Sequence, residues 1–323
     1  MKHSTESIKI TTLTLNPALD KSTSTNKLQP EQKLRCSPLR MDAGGGGINV
    51  SKGIQKLGGE SIAVFPAGGH NGDLIRQILT EMSVETAILA VESETREDIS
   101  VIETSTNNQF RFLMPGIELP EKIADKCLKI IEKQRPGYLV ASGSLPPGLP
   151  VTYYEKVAAL AKKIEARFVL DTSGDALAAA ANEGLYLLKP NLAELSALVG
   201  VEKLEIQEVD DAALEIIRLG KCQVVVVSMG PQGALLITRD EVKHVPAPPV
   251  KKMTTVGAGD SMVAGMVWGL SQGMSAREMV QLGVACGSAA TLNQGTELFK
   301  REDADRLLEW IQTYGERFRL RDF

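Results

Sequence analysis

The segment Thr255–Val256–Gly257–Ala258–Gly259–Asp260–Ser261 joins a glycine loop, a carboxylate and the start of a long apolar run from Met262 to Leu270. That order is expected of a loop feeding a helix N-terminus. Gly257 and Gly259 let the backbone approach an anion and aim several N–H groups at it, and the helix dipole adds partial positive charge there. A carboxylate at Asp260 can then take a proton from a substrate hydroxyl while the backbone of Gly257, Ala258 and Gly259 holds a phosphoryl group in transit. The same pattern also makes ordinary helix entries, so its chemistry depends on what the rest of the chain brings to it.

Four further sets have chemical potential, each with a plain structural alternative. Asn16–Pro17–Ala18–Leu19–Asp20 reads as the end of a first strand. Its aspartate is able to accept from sugar hydroxyls, but Asn-Pro and Asp are also turn formers. Gly44–Gly45–Gly46–Gly47–Ile48–Asn49–Val50 sets four glycines before a helix, a costly way to make a bare connector and a natural one to admit a polyhydroxylated ligand beside Asn49. It is neither a dinucleotide fingerprint nor a Walker loop: Val50 stands where the former needs glycine, and no G-x-x-x-x-G-K-[ST] occurs. Asn191 and Glu194 open a helix three residues apart; they suit a capping box, a water-mediated hold on Mg²⁺, or both. Ser228–Met229–Gly230–Pro231–Gln232–Gly233 suits either a tight turn or backbone contacts to a nucleotide. Lys33, Arg35 and Arg96 read as surface charges that are able to clamp a phosphate if they converge.

These residues need elements to position them. Strand-like and helix-like segments alternate along the chain: Ile8–Leu15, Ser61–Phe65, Tyr138–Ala141, Phe168–Asp171, Tyr186–Lys189 and Gln223–Ser228 as strands, with helices at Ile48–Leu57, Asp73–Met82, Val151–Lys163, Ala176–Ala181 and Leu192–Val199 between them. The C-terminal third is helical over Ser261–Leu270, Ala276–Leu292 and Ala304–Tyr314. Unbroken apolar strands between helices, such as Val224–Val227, imply a parallel sheet covered on both sides. Lys21–Met41 breaks the rhythm, as do the alternating runs Asp98–Glu103 and Gln109–Leu113 around a hairpin at Thr106–Asn108; together they predict a small separate sheet. In an open parallel sheet the ligand site lies beyond the strand C-termini. Asp20, Gly44–Gly47, Ser144, Lys189–Asn191, Ser228–Gly233 and Asp260 are all expected there.

Composition removes several alternatives. The 323 residues are 43% hydrophobic and 24% charged, which suits a packed globular chain. A net charge of −4 with 4% aromatics and no basic block disfavours nucleic acid as a partner. Cys36, Cys127, Cys222 and Cys286 are scattered, and with three histidines they form no metal-ligand spacing; they read as small buried hydrophobes in a reducing cytoplasm. The polar start shows no secretory h-region, and no apolar run is long enough to span a membrane, so a cytoplasmic protein with no membrane partner is expected.

Taken in order, Thr14–Asp20, Gly44–Val50, Ser142–Gly148, Lys189–Glu194, Ser228–Gly233, Thr255–Ser261 and Ser288–Thr296 resemble the PfkB (ribokinase-like) family of sugar kinases over nearly the whole chain. The resemblance implies a three-layer α/β/α domain spanning 1–323, with a β-sheet lid from about 21–41 and 98–113, and a homodimer joined through the lids. It implies Asp260 as base with Gly257–Gly259 as anion hole. Asp20, Lys33, Gly45, Gly46, Asn49, Arg96 and Ser144 would contact a sugar phosphate. Lys189, Asn191, Ser228, Gly230, Gly233, Ser288 and Asn293 would serve ATP. Glu194, with Asn191, would hold Mg²⁺ through water. Thr254, Val256, Ala290, Asn293 and Gly295 fall where such kinases bind a monovalent cation such as K⁺. Glu297 departs from the family, whose nearest members often carry a basic residue there. Within the family, the wording of Gly44–Val50, Ser142–Gly148 and Asn293–Thr296 is nearest the members that phosphorylate the 1-hydroxyl of fructose 6-phosphate. Tagatose 6-phosphate and fructose 1-phosphate are the alternative substrates, and a non-catalytic sugar-phosphate sensor is the alternative of another class.

Overall fold

The computed structural model of the protein describes residues 8–293 and 297–317. In chain order the elements are β1 (Ile10–Leu13), β2 (Ala18–Thr25), β3 (Arg40–Gly44), α1 (Gly46–Lys56), β4 (Ile62–Ala67), α2 (Gly69–Glu81), β5 (Glu85–Ala90), β6 (Glu97–Glu103), β7 (Asn108–Leu113), α3 (Glu121–Gln134), β8 (Tyr138–Ser142) and α4 (Tyr153–Lys163). They continue as β9 (Arg167–Asp171), α5 (Gly174–Ala181), β10 (Leu185–Leu188), α6 (Leu192–Val199), α7 (Val209–Arg218), β11 (Cys222–Ser228), β12 (Ala234–Ile237), β13 (Val242–Val245), α8 (Ala258–Ser271), α9 (Ala276–Ala290) and α10 (Arg301–Tyr314).

The main sheet has the order β13-β12-β11-β10-β9-β8-β1-β4-β5. All of its pairs are parallel except those of β12 and β13, which close one edge as an antiparallel meander. Side chains alternate between its faces with the period of the pleat. Leu13, Leu139, Ala141, Leu170, Leu188 and Val225 enter one core with α3–α7. Ile10, Tyr138, Val140, Val169, Leu187 and Val226 enter the other with α1, α8, α9 and α10. That is the expected three-layer arrangement. The covering is not uniform along β11, whose Gln223 is exposed, whereas β1, β8 and β12 are buried at every position.

The second sheet has the order β3-β2-β6-β7 and is built from two excursions, one after β1 and one after β5. It begins slightly earlier than Lys21 and ends later than Met41, because Ala18–Leu19 and Ala43–Gly44 already pair across β2 and β3. This moves Asp20. It is not in a turn ending the first strand; it sits inside β2, in register with Asp42 of β3 and Asp98 of β6. Residues in register share a face, so three carboxylates stand side by side. The cysteine expectation also needs correction: Cys127, Cys222 and Cys286 are buried, but Cys36, in the loop leading to β3, is exposed. No helix among the described residues is long and apolar enough to cross a membrane.

Candidate active site

The parallel strands deliver their C-terminal residues to one end of the sheet. Thr14 follows β1, Ser142 and Asp171 end β8 and β9, Lys189 follows β10 and Ser228 ends β11. Over them stands the start of α8. Its N-cap, Gly257, is left-handed at φ 72°, and no side chain caps the helix. First-turn amides have no intrahelical acceptor, so the Gly259 and Asp260 N–H groups remain available to an anion.

Asp260 is gripped from two sides. Asn49 Nδ2 donates to Oδ2 at 3.0 Å, and Ser142 Oγ donates to Oδ1 at 3.3 Å. Burial pushes its carboxyl up to about 6; Asp171 adds to the rise, and Asn49, Lys189 and Ser142 oppose it. A base near that value is ionised at neutral pH and still able to hold a proton transiently. Lys189 is buried beside Asp171, Nζ to Oδ1 3.2 Å. Burial works against the ammonium, but Asp171, supported by Glu194 and Asp260, outweighs it and holds Lys189 above its ordinary value. A Cβ on Gly259 would lie 3.7 Å from that Nζ. The helix start and the ammonium therefore border one small space.

The glycine run is tight for internal reasons. A Cβ on Gly44 would collide with the Asp20 carboxylate and one on Gly46 with Ser142, and one on Gly45 or Gly47 would come within 2.6 Å of Thr14 Cγ2 or Leu13 O. Gly45 itself has φ 113°. The run thus presses lid, first helix and strand ends together, placing Asp20, Asn49 and Asp260 around one cleft. Burial raises Asp20 to about 7; Lys52 opposes the rise, Asp98 and Asp42 add to it, and Arg111 opposes it.

Arg96 and Ser144 lie at the lid end of this cleft. Asn16 links them: its amide donates to Ser144 Oγ at 3.1 Å and its carbonyl accepts from Arg96 at 3.3 Å. Arg96 also forks onto both Asp98 oxygens at 2.8 Å, and its buried Nε has no hydrogen-bond partner among the described residues. An open cleft of about 450 Å³ lined by Asn71, Arg96, Met114 and Gly116 adjoins it. Lys33 is apart from this group, exposed in the loop between β2 and β3.

On the other flank, Asn191 and Glu194 form the capping box of α6, with both reciprocal bonds at 2.9 Å. Ser228 joins this corner through an isolated bridge to Asn191. Gly230 and Gly233 take left-handed conformations, φ 58° and 94°, around a short 3₁₀ turn. The tight-turn and capping readings of both motifs are therefore realised, and neither blocks a ligand. Met253 and Thr254 both donate to the Thr291 carbonyl, at 2.8 and 3.3 Å, which brings the loop of Thr254 and Val256 to the end of α9, where Ala290 and Asn293 lie. Ser288 is one turn back on α9. Gly295 lies outside the described residues. Glu297 faces the lid, 3.8 Å from Arg40 of β3.

The profile of the pfkB family of carbohydrate kinases matches residues 5–303. The chain belongs to that family. The curated ATP-dependent 6-phosphofructokinase isozyme 2 of Escherichia coli K12 is 43% identical over 306 residues, covering 94% of this kinase and 99% of the relative. The crystal structure of Escherichia coli phosphofructokinase-2 in complex with potassium superimposes with a TM-score of 0.91 at 43% identity, covering 94% of this chain and 99% of that one. A 1-phosphofructokinase of Vibrio cholerae is more distant, 30% identical over 94% of this chain and 96% of its own.

Two residues central to the site of this kinase were not singled out from the sequence. Asp171 was detectable, since it ends a parallel strand as Lys189 follows one. Lys52 gave no signal, because a lysine inside an amphipathic helix reads as exposed.

Proposed function

We propose that this kinase is an ATP-dependent 6-phosphofructokinase, transferring the γ-phosphoryl group of MgATP to the 1-hydroxyl of fructose 6-phosphate. The observation that carries the reading is the Asp260 carboxylate, held by Asn49 and Ser142 at an uncapped helix start beside Lys189. The 43% identity to a curated 6-phosphofructokinase over nearly both full lengths favours fructose 6-phosphate over fructose 1-phosphate.

In this reading Asp20, Gly45, Gly46 and Asn49 contact the sugar, and Ser144 and Arg96 meet its 6-phosphate; Lys33, which stands apart in the loop between β2 and β3, is the third candidate for that phosphate. The partnerless Arg96 Nε is a donor ready for such an anion. Asp260 takes the proton of the 1-hydroxyl as the oxygen attacks the γ-phosphorus, and ADP leaves. The transition state is loose, so the amides of Gly257–Gly259 and the Lys189 ammonium act by placing and stabilising spread charge. Lys189, Asn191, Ser228, Gly230, Gly233, Ser288 and Asn293 border the nucleotide. Among the described residues no three His, Cys, Asp or Glu side chains are grouped to cage a metal. Asn191 and Glu194 offer one amide and one carboxylate, which fits Mg²⁺ arriving on the nucleotide, since this ion keeps most of its waters and takes one or two carboxylates. Glu194, raised by burial against the opposing pull of Asn191 and Lys189, would accept from those waters; the ion neutralises phosphate charge. Oxygens of Thr254, Val256, Ala290 and Asn293, gathered at the end of α9, suit a monovalent cation such as K⁺.

The outer face of the lid carries Met41, Ile99, Val101, Phe110 and Phe112 in adjoining register, with Met41 and Phe112 each 49% exposed. A small sheet with one bare apolar face is unstable in water, which supports a homodimer closed lid to lid. A coupled assay over fructose 6-phosphate, tagatose 6-phosphate and fructose 1-phosphate tests the substrate. Fructose 6-phosphate should give the highest kcat/KM, and preference for either rival would overturn the assignment.

A further inference from the structure

We infer that Lys52 is a positioning residue, which holds the oxygen of the Asn49 amide and so aims its N–H at the Asp260 carboxylate. The inference rests on the reading of Asp260 as the base. Lys52 lies on α1 with 2% exposure, between the buried residues Ser51 and Gly53. An ammonium has three donors and no acceptor. All three are used: on Asp42 Oδ1 at 2.7 Å, on the Ala43 carbonyl at 2.8 Å, and on Asn49 Oδ1 at 3.4 Å.

This arrangement has a direction. Because Lys52 can only donate, Asn49 must turn its oxygen toward it, and its NH₂ is then left to Asp260 at 3.0 Å. The flipped amide would set donor against donor at Lys52 and oxygen against carboxylate at Asp260. A chain of polar contacts therefore runs from the lid strand β3 through α1 to α8, and every link has its polarity fixed by the lysine. Stability alone is a poor reason for the residue. A buried ion pair is often no better than apolar side chains of like volume. Asn49 donation favours the ionised base, and Asp171 and Lys189, the other charged groups facing Asp260, act against and for ionisation respectively. Lys52 also faces Asp20, so its loss touches both ends of the cleft.

The test uses the full chain and phosphoryl transfer from MgATP. Lys52→Met alone leaves Asp42 without its partner, so the paired Lys52→Met/Asp42→Asn variant is measured beside it. Misplacing a reacting group by about an ångström costs on the order of 10²-fold; kcat should fall by about 10- to 100-fold, with the KM for ATP unchanged. The acid limb of the kcat profile should move to higher pH, and Lys52→Arg should restore most of the turnover. In an Asn49→Ala background, Lys52→Met should remove nothing further, since residues acting through one contact are not additive. A folded double variant with normal kcat and an unmoved acid limb overturns the inference, as do losses that multiply in the Asn49→Ala background. Asp260→Asn is run in parallel: if that variant still turns over, it is the assignment of the base that fails.

Discussion

Replacing Asp260 by asparagine should separate activity from stability in opposite directions. The new amide keeps the size of the carboxyl, and it has an oxygen for Asn49 Nδ2 and an NH₂ for Ser142 Oγ, so both present contacts survive as hydrogen bonds. What disappears is the proton acceptor, worth about 10²–10⁴-fold in kcat. The folded protein holds the Asp260 carboxyl at about 6 against an ordinary 3.8, mainly because burial opposes its charge. At about 1.4 kcal/mol per pH unit, that gap sets an upper figure of about 3 kcal/mol by which the ionised carboxylate destabilises the fold. The sign follows from the raised value: the folded state binds more protons than the unfolded chain between these limits, so the penalty grows as pH rises from about 4 to about 6. Asp260→Asn should therefore melt a few degrees higher than the parent at pH 8 and at the same temperature near pH 4. Sugar-phosphate affinity should change little. Thermal melts from pH 4 to 8, beside kcat from the coupled assay, decide the matter. Near-normal kcat would remove Asp260 as the base, and a lower melting temperature at pH 8 would show that its charge supports the fold.

Three other variants probe the remaining parts of the site. Arg96→Ala should raise the KM for fructose 6-phosphate at least tenfold and leave that for ATP alone, since charge-assisted contacts are worth about 1.5–3 kcal/mol; a loss of ATP affinity instead would place Arg96 on the nucleotide side. Glu194→Gln should raise the Mg²⁺ concentration for half-maximal rate while the melting temperature holds, because glutamine also completes a capping box; an unchanged Mg²⁺ titration with a lower melting temperature would leave the residue a capping role only. Phe112→Asp, on the bare face of the lid, should give monomers of low activity with an intact main domain, and a fully active monomer in sedimentation at assay concentration would refute the lid-to-lid dimer.

Periodicity revealed the main sheet and most of its helices, down to the bounds of α6, because buried strands and amphipathic helices write their packing into the order of apolar residues. Four elements escaped it. β5 is half-exposed along an edge, and β13 is a short edge strand of mixed polarity. α3 and α7 escaped despite a legible period: their buried residues recur as Ala124, Cys127 and Ile131, and as Val209, Ala213, Ile216 and Ile217, but the charges between them masked the stripe. The glycine loop at the start of α8 was legible because glycine, aspartate and a following apolar run each have one strong conformational meaning. The carboxylate row of Asp42, Asp20 and Asp98 was not, since it depends on strand register across long stretches of chain. Nor was the fork of Arg96 on Asp98, since Arg96 stands just before β6 and its reach back to Asp98 depends on how the strand is entered.

The bond between Asn49 and Asp260 joins positions 211 residues apart. A chain made from its N-terminus has its first helix and lid strands long before α8 exists, and non-local pairings of this kind form slowly. The site cannot be completed by any partial chain that stops short of the glycine loop, however well its first sheet strands have paired. On the reading of Asp260 as the base, synthesis and catalysis are separated in time: phosphoryl transfer waits until the last helices dock on the first.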